Sequence, residues 1–396
     1  MDVTISPRRL AGELTVIPSK SQAHRLLICA AFSEKPTLLR CSETNRDIEA
    51  TADCLAALGA RIIRTDSGYS VFPVETVSER AVLNCRESGS TLRFLLPVAG
   101  ALGVDAVFTM EGRLPQRPLS PLWEEMERMG CALSRPTADT VRCTGKLRPG
   151  TYSIDGGVSS QYITGLLLAL SLLEGACVLE ITGKVESRPY IELTKAAISL
   201  FGGDPKHPGG KRFCSPGTLS VEGDWSNGAF FLAANELGSH LNLHGLDMDS
   251  PQGDRAILEI LPLLRGGTPR ISAADIPDLV PILSVVAACN HGAVFSDIRR
   301  LRMKESDRVA SVIAMLESLG GRAEADENTM TVSPARLTGG TVDSFNDHRI
   351  AMSAAIAATV CTDPVTIRGA QCVNKSYPSF WEEYRRLGGN YEQHLR

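Results

Sequence analysis

The sequence has no apolar run long enough to cross a bilayer: its longest, near residues 166–173 and 279–289, fall well short of the roughly 20 residues that a hydrocarbon core about 30 Å thick requires. No basic stretch leads into an apolar segment and a small-residue cleavage site at the N-terminus, so no secretory signal is expected. Excess positive charge is missing as well. A formal charge of -4 gives no general attraction to nucleic acid or anionic membranes, and neither is expected as a partner. The 11 cysteines include no C-x-x-C pair and no Cys/His cluster at zinc-like spacing, which leaves reduced thiols in a cytoplasmic protein as the expectation, with no metal. Both familiar nucleotide-binding loops, Gly-x-x-x-x-Gly-Lys-Ser/Thr and Gly-x-Gly-x-x-Gly, are absent too. Any anion site must therefore be built locally.

What is present is ample core material. At 396 residues, 43% of them hydrophobic and 22% charged, the chain has an ordinary globular composition and exceeds the size at which one core keeps growing, so two domains are expected. An apolar-periodic segment ending in glycine recurs six times, at Leu58-Gly59-Ala60, Met129-Gly130-Cys131, Phe201-Gly202-Gly203, Arg265-Gly266-Gly267, Leu319-Gly320-Gly321 and Leu387-Gly388-Gly389. Each reads as a helix closed by a left-handed glycine, after which the chain turns into a strand. A second helix, apolar nearly all round and therefore buried, recurs as often, starting near Ser19, Ser88, Ser159, Ser226, Pro277 and Asp347. Alternating strands and helices in six related units predict an α/β protein with three units per domain. Only Thr268 to Ile276 separates Gly267 from the next buried helix, so the fourth unit should lack a strand pair.

Ser19, Ser88, Ser159 and Ser226 are ordinary N-cap residues. Capping does not explain Lys20, Arg25, His348 and Arg349 in or near the same first turns, where the positive end of the helix dipole disfavours a cation by about 0.3–1 kcal/mol. A bound anion would compensate, taking hydrogen bonds from the exposed N–H groups while pairing with the cations. Gly89 would let backbone approach such a ligand. A denser cluster, Lys304-Glu305-Ser306-Asp307-Arg308, opens an amphipathic helix and reads equally as a solvated helix start. Asp278 stands at the entrance of an apolar run, where a carboxylate can cap a helix or act as a base near neutral pH.

Ten collinear motifs run through the chain: Pro18-Ser19-Lys20-Ser21-Gln22-Ala23-His24-Arg25, Gly89-Ser90-Thr91-Leu92-Arg93, Gln116-Arg117-Pro118-Leu119, Ser159-Ser160-Gln161, Ser187-Arg188-Pro189-Tyr190, Glu222-Gly223-Asp224, Ile276-Pro277-Asp278, Lys304 through Arg308, Asn346-Asp347-His348-Arg349, and Lys375. Together they resemble the motifs of 5-enolpyruvylshikimate-3-phosphate synthases. The resemblance implies the enolpyruvyl transferase fold, two similar domains each of three βαβαββ-type units. Residues 18–223 would form the first domain, residues 1–17 and 224–396 the second, with the active site in the cleft between them and a monomer as the expected state.

Carried over position by position, the resemblance gives Lys20, Ser21, Arg25, Ser159, Ser160, Gln161, Ser187, Tyr190, Asp278 and Lys304 to shikimate 3-phosphate. It gives Lys20, Gly89, Arg117, Gln161, Arg308, Arg349 and Lys375 to phosphoenolpyruvate, with Arg93 and His348 secondary. The implied reaction is addition followed by elimination, without cofactor or covalent nucleophile, and Asp278 and Glu305, helped by Lys20, would carry its protons. Arg300 departs from the family, where an asparagine is common four residues before the motif lysine, and one ring-hydroxyl contact is thereby in question. Two alternatives remain: UDP-N-acetylglucosamine enolpyruvyltransferase, against which Ser21 and the cysteine-free stretch Met110 to Pro115 speak, and a non-catalytic anion-binding relative, for which two nearby carboxylates would be of little use.

Overall fold

The structure, a computed structural model, describes residues 1–394. It divides into two compact lobes, Pro18–Glu222 and Met1–Ile17 with Gly223–Arg396. The repeat is seen whole in the middle of the first lobe. Strand Arg80–Asn84, buried helix Gly89–Leu102, strand Asp105–Thr109, outer helix Leu122–Arg128 and strands Cys131–Ser134 and Thr140–Gly145 follow in order. The first two strands pair in parallel across the helical crossover, and the last two close the sheet as an antiparallel pair.

Two strands are exchanged relative to chain order. Thr218–Ser220 completes the sheet of Thr37–Arg40, Gly68–Phe72 and Arg61–Thr65, far behind it in sequence. Ala11–Thr15, from the N-terminal segment of the second lobe, pairs in parallel with His240–His244 of the same lobe. Each passage between lobes is pinned within its own lobe: the Ser19 amide donates to the Glu222 carbonyl at 2.7 Å, and the Asp224 amide to the Ile17 carbonyl at 2.8 Å. Strand Asp2–Ser6 likewise closes the last sheet, between Val365–Arg368 and Asn390–His394.

Among the described residues four sheets have four strands and two have only two. The fourth repeat, Ala11–Thr15 with His240–His244, lacks its antiparallel pair as its length foretold. The third repeat is short as well, with Thr151–Asp155 and Val178–Thr182 alone, which repeat spacing did not reveal. Pro205, Pro208 and Pro216, with Gly209, Gly210 and Gly217, occupy the stretch where its last two strands would run, and residues of that kind do not sustain a ladder.

Of the six glycine-ended helices, five turn on a residue with positive φ: Gly59, Gly130, Gly202, Gly320 and Gly388. The fourth does not. Gly266 is the last helical residue and Gly267, at φ 165, is extended backbone that leads straight toward the next strand, Arg270–Ser272. The buried helices behave as their composition requires; His348–Ala358 is buried at every position. In the first lobe Gly89–Leu102 packs against Ser160–Leu170, and the contact depends on two residues. Pro97 has no N–H, so the Arg93 carbonyl loses its intrahelical donor, and Gly165 lies directly over that carbonyl. A methyl group at residue 165 would sit 2.2 Å from the Arg93 oxygen and 2.8 Å from the Pro97 ring.

All 11 cysteines are free thiols, and among the described residues no helix is long and apolar enough to cross a membrane. Because backbone cannot yield as a side chain can, Gly165→Ala should destabilise the protein by about 1–3 kcal/mol. A shifted urea midpoint at unchanged slope would register that loss, whereas a wild-type midpoint would contradict the close helix contact.

Candidate active site

In the first lobe the N-termini of buried helices gather cations and hydroxyls. Ser19, Ser88 and Ser159 cap their helices, accepting from the amides of Gln22, Thr91 and Gln161. Lys20, the first residue of helix Lys20–Ala31, donates to Asp47 at 3.0 Å, so the cation that the helix dipole disfavours is compensated here by a carboxylate on the neighbouring helix. Sequence reasoning missed Asp47, because nothing local marks a partner 27 residues away.

Arg25 is buried and binds internally. Its Nε donates to Thr194 at 2.8 Å, Nη1 to the Ser21 carbonyl at 2.5 Å, and Nη2 to the Tyr190 carbonyl at 3.0 Å and Thr164 at 3.2 Å. Burial lowers its pKa to about 9, which leaves it cationic at neutral pH. It thus ties Ser21 and Tyr190, two expected substrate contacts, to one buried charge. Ser187 opens the helix that carries Tyr190 and is held at φ 56, a left-handed conformation unusual for serine.

Around Gly89 the remaining expected residues of this lobe come together. Arg93 donates to Gln161 at 3.1 Å and to the Pro118 carbonyl at 3.2 Å, and Gln161 donates to Ser90 at 3.1 Å. The guanidinium groups of Arg93 and Arg117 converge so closely that a methyl on Gly89 would lie 2.6 Å from an Nη1 of each. Arg117 Nε is buried without a hydrogen-bond partner among the described residues. Ser160, next to the Ser159 cap, is buried at the start of its helix.

The second lobe is organised by Arg308. This guanidinium, 1% exposed, donates from Nε to Asp347 at 2.9 Å, from Nη1 to Asp278 at 2.5 Å and from Nη2 to Glu305 at 2.6 Å. Burial by itself would lower its pKa, yet Asp347, Glu305 and Asp278 together raise it well above the usual arginine value. Arg349 donates to the other Asp278 oxygen at 3.0 Å, and Ser306 to Asp347 at 3.0 Å. Lys375 donates to the Asn346 carbonyl at 2.9 Å, so the loop before helix His348–Ala358 holds that lysine, and His348 is buried in the helix's first turn. Lys304, half-buried, is desolvated; although Asp278 and Glu305 favour its charge, Arg300 and Arg308 oppose it, and its pKa falls to about 8. Arg300 thus lies close enough to Lys304 to act on it electrostatically.

Two expectations need correction. Ser226 is not a cap: helix Trp225–Glu236 is capped by Asp224, which accepts from the Asn227 amide, while the Ser226 hydroxyl donates to buried Asp254. Asp278 does not cap a helix either. The helix begins at Val280 without a side-chain cap, and Asp278 is instead bridged by two arginines. Asp347, within a quoted motif yet given no role, proves to cap its helix and to bind Arg308 at once.

Chemically, the second lobe holds two carboxylates, Asp278 and Glu305, beside Arg349 and Lys304, a set able to move protons next to bound anions. The first lobe offers arginines and helix N-termini suited to phosphate and carboxylate.

The chain matches the family model for EPSP synthase (3-phosphoshikimate 1-carboxyvinyltransferase) over residues 5–266 and 268–384. It is 36% identical over 417 aligned positions to the 3-phosphoshikimate 1-carboxyvinyltransferase of Clostridium acetobutylicum, covering 98% of this chain and 97% of that one. The protein of the same name from Clostridium kluyveri is also 36% identical, with 99% and 98% covered. Among solved structures, EPSP synthase from Acinetobacter baumannii superposes with a TM-score of 0.80 at 23% identity, covering 99% of this chain and all of that one. The enolpyruvyl transferase NikO from Streptomyces tendae gives 0.79 at 17% identity, with 100% and 99% covered; at such identities the likeness speaks for the fold alone. With nearly its whole length matched by the family model and by relatives at 36% identity, the chain belongs to the EPSP synthase family.

Proposed function

We propose that this protein transfers the enolpyruvyl group of phosphoenolpyruvate to the 5-hydroxyl of shikimate 3-phosphate, releasing phosphate, as a step of aromatic amino acid biosynthesis. The observation that carries the reading is Arg308 binding Asp278 and Glu305 together beside Arg349, inside a chain whose relatives bear the name of that reaction. Lys20, Ser21, Arg25, Ser159, Ser160, Gln161, Ser187, Tyr190, Asp278 and Lys304 hold shikimate 3-phosphate, and Arg25 also donates to the Ser21 and Tyr190 carbonyls. Lys20, Gly89, Arg117, Gln161, Arg308, Arg349 and Lys375 hold phosphoenolpyruvate, and Arg93 and His348 support them.

Addition forms a bond between the ring oxygen and C2 of phosphoenolpyruvate while the ring hydroxyl loses its proton and C3 gains one. Elimination breaks the bond from C2 to the phosphate oxygen and returns a proton from C3. One group must accept and another donate in each half, and that traffic is assigned to Asp278 and Glu305, aided by Lys20. Cations near C2 would oppose positive charge developing there, so they serve the phosphate and carboxylate while the two carboxylates supply the opposing field. Arg300 in place of the asparagine common in the family alters the charge near the ring hydroxyls.

Purified protein should release phosphate only when phosphoenolpyruvate and shikimate 3-phosphate are both present. Asp278→Ala and Glu305→Ala should each lower turnover by about 10²–10⁴-fold with far smaller changes in KM. Equal release with UDP-N-acetylglucosamine, or variants with wild-type turnover, would defeat the assignment. Lys304 gives a separate pH dependence. Its ammonium is charged below about 8 and neutral above, so the KM for shikimate 3-phosphate should climb as pH rises past that value, by up to about tenfold per unit. Lys304→Arg, charged throughout, should flatten the climb; a climb of the same size would show that another group causes it.

A further inference from the structure

Behind Asp278 lies a carboxyl that the mechanism above does not use. Asp254 stands in the tight turn Gly253–Ala256 and is 2% exposed. One oxygen, Oδ2, accepts from the Ser226 hydroxyl, while Oδ1 is buried without a hydrogen-bond partner among the described residues. The surrounding contacts are fixed: Gln252 accepts from the Trp225 amide at 3.1 Å and donates to the Gly223 carbonyl at 2.8 Å, locking the turn against the start of helix Trp225–Glu236. An ionised carboxylate with a bare oxygen in such a place carries a large desolvation cost. A neutral carboxyl needs only one acceptor contact and keeps a proton to donate.

The charged groups acting on Asp254 are few. Burial raises its pKa most and Asp278 adds to that; Arg349 and the Ser226 hydroxyl pull it down and Asp224 pushes it up, with the balance at about 7. On the packed elements, Arg255 and Glu259 are exposed, and Glu236, at the far end of its helix, pairs with Arg265. Asp278 bonds the Arg349 guanidinium directly, while Arg349 acts on Asp254 only through its field, favouring the charged form of that carboxyl as well.

Resting on the enolpyruvyl-transfer reading, we propose that Asp254 is a positioning residue for Arg349 and Asp278: neutral, it leaves Arg349 to Asp278 and the incoming anion, and ionised, it competes for Arg349 and weakens phosphoenolpyruvate binding. The proton Asp254 gives up goes to solvent, so the device senses pH without entering the reaction. Ser226 sets where the change occurs, since its hydrogen bond favours the charged form.

The test compares full-length wild type, Asp254→Asn and Ser226→Ala, measuring kcat and KM for phosphoenolpyruvate at saturating shikimate 3-phosphate on both sides of the value near 7. Titration of the substrate's own phosphate is common to all three and cancels in the comparison. In wild type kcat/KM should fall on the alkaline side by about tenfold, carried mainly by KM. Asp254→Asn, which imitates the neutral carboxyl, should lack that fall and match wild type on the acid side; Ser226→Ala should move it to higher pH. Superimposable profiles for wild type and Asp254→Asn, or an asparagine variant crippled on the acid side, would overturn the proposal. Infrared spectra give a readout independent of turnover: a protonated-carboxyl band that fades through about pH 7 in wild type, moves upward in Ser226→Ala and is absent from Asp254→Asn. No such band in wild type would refute the neutral state of Asp254 even where a variant failed to fold, whereas a wild type that shows the band but releases no phosphate would refute only the assigned reaction.

Discussion

One guanidinium, that of Arg308, is shared among three carboxylates brought from three parts of the chain: Asp278 before one buried helix, Glu305 one turn ahead of Arg308 itself, and Asp347 at the cap of another. Removing the cation would leave three negative groups facing one another with little water, so each fixes the others' positions. Asp347 has a second obligation, because it also accepts from the Arg349 amide as the cap of helix His348–Ala358. The orientation of Arg349, and through it the second contact to Asp278, follows from the same cluster. The proposed acids Asp278 and Glu305 and the neighbouring cation Arg349 are consequently set by a single network rather than by separate devices.

The fold supplies what that network needs. Helices that are apolar on every face bury themselves, and their first turns become the only places where polar side chains can gather. In the first lobe those helix starts carry serine caps and Lys20, with Arg25 and Arg93 one turn further on; in the second they carry Asp224, and Asp347 with Arg349. Each cation near a helix N-terminus is matched by something that offsets the unfavourable dipole. Asp47 does this for Lys20, internal hydroxyls and carbonyls hold Arg25, and Asp278 answers Arg349.

Much of the architecture could be read from the sequence because its signals are local: a glycine that ends a helix, or an apolar stretch too even for a surface helix, needs no knowledge of distant residues. The shortened fourth repeat was legible for the same reason. The equally short third repeat escaped because its length is unremarkable, although the prolines and glycines between Gly203 and Thr218 carried the signal in composition. Ser226 was taken for a cap where Asp224, two residues earlier, does the capping; both types cap well, and only the hydrogen bond to Asp254 decides between them. The family motifs pointed to residues but not to their pairings. Asp47 with Lys20 and Asp254 with Ser226 are contacts between segments 27 and 28 residues apart, set by how helices pack and invisible to periodicity.

At the centre of the account stands the transfer of a proton to C3 of phosphoenolpyruvate by a group in the Asp278 and Glu305 cluster, followed by its loss when phosphate departs. Turnover in heavy water reads that step directly, with the enol ether product and recovered phosphoenolpyruvate analysed by mass spectrometry and NMR. Deuterium in the vinyl methylene of the product is the predicted result, since C3 passes through a methyl stage whose hydrogens include one from the protein or solvent. A product whose methylene carries only protium after full turnover would contradict it, for the double bond would then have survived the transfer untouched.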